Sequence, residues 1–72
     1  MSPHATKVLR ALCASPNKTG SSKTLKAGGL SDDEIEAGLD ELGRLGFAHV
    51  DHHMGGFIGA ELTASGRLRC ST

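Results

Sequence analysis

The stretch that decides the fold is residues 28–47, GGLSDDEIEAGLDELGRLGF. Ser31 and Glu34 have the spacing of a capping box, in which each side chain binds the backbone N–H of the other residue. Apolar residues then recur every three or four positions, as they do on the buried face of a helix: Ile35, Leu39, Leu42 and Leu45. Gly46 followed by Phe47 is typical of a Schellman stop, in which the hydrophobic residue packs back onto the last turns. These signals predict a helix that begins after Ser31 and ends before Gly46.

Two shorter helices are predicted before this one. Ser2 followed by Pro3 favours a helix start, because serine caps free N–H groups and proline at the first position loses no hydrogen bond. The apolar positions that follow have helical spacing: Ala5, Val8, Leu9, Leu12 and Cys13. Pro16 ends this helix, a turn over residues 15–20 follows, and a short serine-capped helix then runs to a glycine pair. The three predicted helices cover residues 3–14, 22–27 and 32–45.

Beyond the long helix the pattern becomes alternating, which is typical of β-strands. Residues 47–52 and 57–62 are two such runs, and the glycine-rich residues 53–56 between them predict the tip of a β-hairpin. The core face of the second run is expected to hold Ile58, Ala60 and Leu62. The hairpin is therefore predicted over residues 47–62.

The remaining residues are expected to close the domain. Thr63 is a candidate cap for a turn that returns Leu68 to the core. The chain is then one α+β domain over residues 1–72, with three helices followed by a two-stranded hairpin.

The sequence gives no sign of catalysis or of a metal site. A chain of 72 residues buries only about 60% of its unfolded surface, which leaves little room for a catalytic pocket. No side chains have the spacing of a nucleophile and its base, so we expect neither enzymatic activity nor a cofactor. His49 and Asp51 would share one face of a strand while His52 points to the other, so we predict no metal site.

Cysteine usage and hydropathy indicate a compartment. No apolar run approaches the roughly 18 residues that cross a bilayer, and the first residues do not resemble a signal peptide. We therefore expect a cytoplasmic protein without membrane association. Cys13 and Cys70 are far apart and match neither a metal knuckle nor a dense disulfide scaffold. We expect reduced, partly buried thiols, and their spacing leaves open whether they ever pair.

The formal net charge is zero, yet the charges are segregated along the chain. Residues 1–31 contain five lysines and arginines and no acid, whereas residues 32–61 contain eight acids and one arginine. Two more arginines follow, at positions 67 and 69. This segregation predicts a molecule with a basic and an acidic side, each able to attract an oppositely charged partner.

The order of these elements resembles the winged helix-turn-helix superfamily, particularly the MarR-like and PadR-like bacterial regulators. Residues 25–47 resemble the helix-turn-helix and its exit. Residues 62–67, Leu-Thr-Ala-Ser-Gly-Arg, resemble the L-T-x-x-G-R sequence that closes the wing in those regulators. The similarity covers roughly residues 21–68.

This resemblance implies a small DNA-binding transcriptional regulator. In the superfamily the third helix commonly enters the major groove, and the wing touches the neighbouring backbone or minor groove. The residues placed to contact duplex DNA are Lys18, Ser21, Ser22, Lys23, Lys26, Asp33, Glu36, His52, His53 and Arg67. A homodimer is expected to use the first helix, the basic amino-terminal half, or opposite charges on two copies.

The acidic third helix supports an alternative function. Carboxylates beside a polyanion lose the phosphate attraction that supplies most non-specific affinity for DNA. An acidic helix face is instead suited to a basic protein surface, and the fold alone does not separate the two functions. The residues of this alternative protein-binding face are Asp32, Asp33, Glu36, Asp40 and Glu41.

Overall fold

The computed structural model describes residues 1–52 and 58–70. Within these residues the fold is α+β, with four helices and one three-stranded antiparallel sheet. The helices are α1 (Pro3–Ala14), α2 (Ser22–Ala27), α3 (Asp32–Leu45) and α4 (Ala64–Arg69). The strands are β1 (Thr19–Ser21), β2 (Ala48–His52) and β3 (Ile58–Leu62). A 3-10 turn at Pro16–Lys18 joins α1 to β1.

The first three helices have the predicted bounds because their starts and stops are local hydrogen bonds. The Ser31 hydroxyl accepts from the Glu34 N–H at 3.2 Å, and the Glu34 carboxylate accepts from the Ser31 N–H at 3.2 Å. At the other end of α3, Gly46 has φ of +79°, which glycine adopts without steric cost. The Phe47 N–H then donates to the Leu42 carbonyl at 2.9 Å, which confirms the predicted Schellman stop.

The sheet has one strand more than predicted. Its order is β1-β3-β2, so β3 is central and pairs with Gly20 on one side and with Val50 on the other. The strands β2 and β3 pair antiparallel, as predicted for the hairpin, and its predicted tip, residues 53–56, lies outside the described residues. The expectation of only two strands, with residues 15–20 a turn, is wrong. The sequence Thr-Gly-Ser has no strand signal, and β1 forms because the fold places it beside β3. A Cβ at position 20 would lie 2.8 Å from Leu12 Cδ2, so glycine allows β1 to pass this close to α1.

The core lies between α1, α2, α3 and the inner face of the sheet. Its buried apolar residues are Ala5, Val8, Leu9, Leu12, Leu25, Ile35, Leu39, Leu42, Ala48, Ala60 and Leu62. The helices α1 and α3 approach closely at Gly38, which has no side chain to hold them apart. Leu45, predicted on the buried stripe of α3, is instead 48% exposed at the end of the helix.

The carboxyl-terminal segment differs from the expected turn. Thr63 does act as a cap, accepting from the Gly66 N–H at 3.1 Å, but the cap begins α4. Gly66 is the residue of α4 that faces inward. It is a glycine because any Cβ there would collide with the Phe47 carbonyl. Leu68 lies two residues further around the helix and is 72% exposed, so the prediction that it returns to the core is wrong.

Cys13 and Cys70 form a disulfide, which overturns the expectation of reduced thiols. Their separation of 57 residues gave no spacing signal. The pair meets because α4 brings Cys70 beside the end of α1, with 5.6 Å between the Cα atoms. The bond ties the carboxyl end of α4 to the first helix.

Candidate functional site

An open groove lies between the amino-terminal half of α3 and the strands β2 and β3. Helical spacing places Asp33, Glu36 and Asp40 on one face of α3. Strand alternation turns Val50 and Ile58 toward that helix. The space between them has a volume of about 630 Å³. This acidic groove is lined by Asp33, Glu36, Ala37, Leu39, Asp40, Val50, His52 and Ile58.

The floor of the acidic groove is apolar and continuous with the core. Leu39 is almost fully buried, and Val50 and Ile58 are partly buried and pack against the core cluster. The groove exists because β2 and β3 carry this apolar face beyond the part covered by α3. An aliphatic side chain of a partner can therefore be buried on the floor while its polar groups remain at the rim.

The helical wall of the acidic groove carries negative charge that is mostly uncompensated. Asp33 and Glu36 are exposed, and within the described ranges no cation lies at ion-pair distance from either carboxylate. Asp40 pairs with Arg44, four residues later on the same helix, at 2.9 Å. Both side chains of that pair are largely exposed, so the interaction is weak and open to exchange. The groove therefore offers carboxylates to a cationic ligand.

The other acids of the predicted protein-binding face serve elsewhere. Asp32 pairs with Lys26 of α2 at 3.1 Å. Glu41 accepts from the Ser2 backbone N–H at 2.7 Å, and this bond holds the pKa of Glu41 below its usual value. Of the five acids predicted for this face, Asp33, Glu36 and Asp40 line the acidic groove, and Asp32 and Glu41 do not.

Glu34 is the most strongly perturbed of these carboxylates, and its role is structural. Its pKa is lowered to about 2, mainly by the hydrogen bond from Lys7 at 3.0 Å and then by the Ser31 backbone N–H. These bonds join α1 to the start of α3. Glu34 thus stabilises the helix pair beside the groove without lining the groove itself.

Several of the residues predicted to contact DNA are held in bonds within the fold. Lys18 donates to the Cys13 carbonyl at the end of α1, at 2.8 Å. Ser21 caps α2 by accepting from the Thr24 N–H, and the Ser22 hydroxyl accepts from the Ile58 N–H at 3.3 Å. Lys18 therefore holds the 3-10 turn to the end of α1, and Ser22 joins the start of α2 to β3.

The other described residues of this predicted set lie on different elements of the fold. Lys23 is exposed on α2 and makes no ion pair with any residue the structure describes. Arg67 of α4 donates to the Asn17 carbonyl at 3.4 Å. His52 lines the acidic groove with Asp33 and Glu36, and His53 lies outside the described residues.

Sequence reasoning missed the groove floor. Leu39, Val50 and Ile58 have the spacing of core residues, and no local signal indicates that the helix leaves part of their surface uncovered. For metals, residues 1–52 and 58–70 contain no cluster of His, Cys, Asp and Glu side chains with suitable geometry. In the same ranges no helix has the length and apolarity needed to span a membrane.

Comparison with known proteins adds no relative. No family model matches the chain, and no curated protein matches it at a significant level. The geometry and charge of the acidic groove are therefore the observations that bear on the function of the chain.

Proposed function

We propose that the chain is a winged-helix domain that binds a protein partner through the acidic groove. The observation that carries this proposal is the combination of three carboxylates on one wall, Asp33, Glu36 and Asp40, with an apolar floor. A complementary partner presents basic side chains to the wall and an aliphatic side chain to the floor. The domain acts by binding and not by catalysis.

The order of the elements supports the winged-helix assignment. The helices α2 and α3 correspond to the helix-turn-helix, and β2 and β3 to the wing. The strand β1 lies between α1 and α2 in sequence and pairs with the inner strand of the hairpin. In this assignment the acidic groove separates the third helix from the wing, where the superfamily commonly meets its ligand.

The charges favour a protein partner over DNA at this groove. A duplex brings a dense row of phosphates, and α3 would place Asp33 and Glu36 beside them without compensating cations. Phosphates also gain nothing from the apolar floor formed by Val50 and Ile58. A basic peptide or protein surface gains from both features, because its charges are attracted and its aliphatic groups are buried.

A second candidate function is duplex DNA binding through α2. The observation that favours it is the exposed pair Lys23 and Lys26, since the ion pair of Lys26 with Asp32 is itself exposed and weak. With Arg67 as a third contact, log K is expected to fall with log salt at a slope of about −2.7. That slope describes weak binding, so this activity would need dimerisation or a partner.

An amide NMR titration of the chain separates the two functions. The first probe is a short synthetic peptide of alternating arginine and leucine, with a glutamate and leucine peptide as its control, and the second is a generic duplex. We expect the basic peptide to shift the resonances of Glu36, Val50 and Ile58. Shifts limited to Lys23 and Lys26 with the duplex would favour DNA binding, and no shifts at the groove would refute the proposed function.

Two double variants make the titration specific for the groove. Asp33→Asn with Glu36→Gln removes two groove charges, and we expect it to weaken binding of the basic peptide at least about tenfold. Asp51→Asn with Glu61→Gln removes the same charges from exposed strand positions outside the groove lining. Equal loss of affinity in both variants would show a general charge effect and contradict a groove-specific site.

A further inference from the structure

The surface of α4 is complementary to the acidic groove. Leu68 is 72% exposed, the most exposed of the large apolar residues in the described ranges. It lies between Arg67 and Arg69 in the sequence. The Arg69 guanidinium lies over the Phe47 ring, 4.9 Å from the ring centroid. The helix thus presents one exposed aliphatic side chain next to the exposed Arg67, while the groove presents an aliphatic floor beside carboxylates.

The exposed Leu68 lies on a helix that is held at both ends. At its start, the Thr63 hydroxyl donates to the Gly46 carbonyl at 2.6 Å and caps the helix. At its end, Cys70 is bonded to Cys13 of α1. Since α4 buries only Gly66, these attachments rather than apolar burial position Leu68 on the surface.

The groove and α4 of one chain are remote from each other. The helix α4 begins beside Gly46, which follows the carboxyl end of α3, whereas Asp33 is at the amino end of the same helix. The helical rise separates these positions by about 20 Å. No residue of α4 lines the groove. Leu68 is therefore available to another molecule and does not fill its own groove.

We propose that the partner of the acidic groove is a second copy of this chain, which inserts Leu68 of its α4. This inference rests on the proposed function of the groove and names its occupant. Leu68 lies on the floor formed by Val50 and Ile58, and Arg67 pairs with Glu36 or Asp33 on the wall. Arg67 keeps free N–H groups for this contact, because only one bond, to the Asn17 carbonyl, engages it in the described residues.

The segregated charges support association between identical chains. A chain with zero net charge has no net repulsion from its copy, and the acidic side of one copy attracts the basic side of the other. Each copy has one α4 and one groove, so two copies that exchange them reciprocally form a closed dimer. If the geometry does not close, the same contact extends to longer assemblies.

Sedimentation analysis of the full chain tests the inference. We expect association between about 1 μM and about 1 mM protein. It should weaken between about 0.1 M and about 1 M NaCl, as the Debye length falls from about 10 Å to 3 Å. Leu68→Ser, a change on the surface, should raise the dissociation constant at least about tenfold. A wild-type chain that remains monomeric at about 1 mM and low salt would overturn the inference.

A mixing experiment identifies the contact. The Leu68→Ser chain keeps an intact groove, and the Asp33→Asn, Glu36→Gln chain keeps an intact α4. At the lowest concentration at which the wild type associates, each variant alone should be mostly monomeric, whereas their mixture should form a complex through the one intact contact. If both variants associate as strongly as the wild type, the contact is elsewhere and the inference is wrong.

The peptide titration keeps this result separate from the proposed function. A monomeric chain whose groove binds the arginine and leucine peptide would refute self-association and leave the proposed function standing. A chain that associates regardless of Leu68, and whose groove binds no basic peptide, would refute both.

Discussion

Replacing Gly38 by alanine tests how closely α1 and α3 pack. A Cβ built at position 38 would lie 2.5 Å from Val8 Cγ2 and 2.8 Å from the His4 carbonyl oxygen. The valine methyl can move, but the carbonyl belongs to the backbone of α1. Relative to the 3.4 Å lower limit of ordinary contact, α1 would have to retreat by about 0.6 Å.

Two opposing terms determine the magnitude for Gly38→Ala. Alanine in a helix interior is more favourable than glycine by about 1 kcal/mol. Overpacking costs about 1–3 kcal/mol, and contact with backbone places this site at the upper end of that range. The expected result is a loss of about 2 kcal/mol in the free energy of unfolding, or a fall in Tm of roughly 8–16 °C for a domain of this size.

The same substitution at Gly43 is the matched control. Gly43 is on the same helix, but it is exposed, and its Cβ would make an ordinary contact of 3.7 Å with Val50 Cγ2. Gly43→Ala should therefore raise the free energy of unfolding by about 0.5–1 kcal/mol. Thermal and urea denaturation followed by circular dichroism measure both. If Gly38→Ala is as stable as the wild type or more so, the close approach of α1 and α3 is refuted.

Three further perturbations follow from the same contacts. Cys70→Ser opens a loop of 57 residues and should lower the free energy of unfolding by about 2–4 kcal/mol in urea denaturation; thiol counting on the unfolded wild type should find no free cysteine. Glu34→Gln should make the free energy of unfolding depend less on pH in acid. In the wild type the lowered pKa of Glu34 stabilises the fold above pH 4.5, and this contribution is lost as the pH falls toward about 2. An unchanged pH dependence in the variant would contradict the hydrogen bonds of Glu34 with Lys7 and Ser31. Leu12→Ala should lower the free energy of unfolding by about 2–5 kcal/mol, because the side chain is fully buried and its removal leaves a cavity in the core. A smaller loss on thermal denaturation would contradict the burial of Leu12.

The helix boundaries could be read from the sequence because their causes lie within a few residues. A serine cap, a glutamate three positions later and a glycine at the end each act through neighbouring backbone groups, so Ser31, Glu34 and Gly46 predict α3 without knowledge of the fold. Apolar spacing likewise identifies the inward faces of α1 and α3. The same periodicity places the carboxylates at positions 33, 36 and 40 on one face of α3.

The tertiary structure decided the features that join distant residues. The strand β1 forms only because β3 passes beside it, and Cys70 reaches Cys13 only because α4 packs at the end of α1. Leucine is usually a core residue, but Gly66 takes the inward position of α4 and Leu68 is left exposed.

The acidic groove depends on both levels. The acids of α3 and the apolar alternation of the strands are local patterns, but only the packing separates Asp33 and Glu36 from Asp32 and Glu41. Local hydrogen bonds and side-chain periodicity act over a few residues, so the sequence alone determined the elements. Which surfaces meet, and which remain open to a partner, depends on contacts between elements far apart in the chain, and these exist only in the folded molecule.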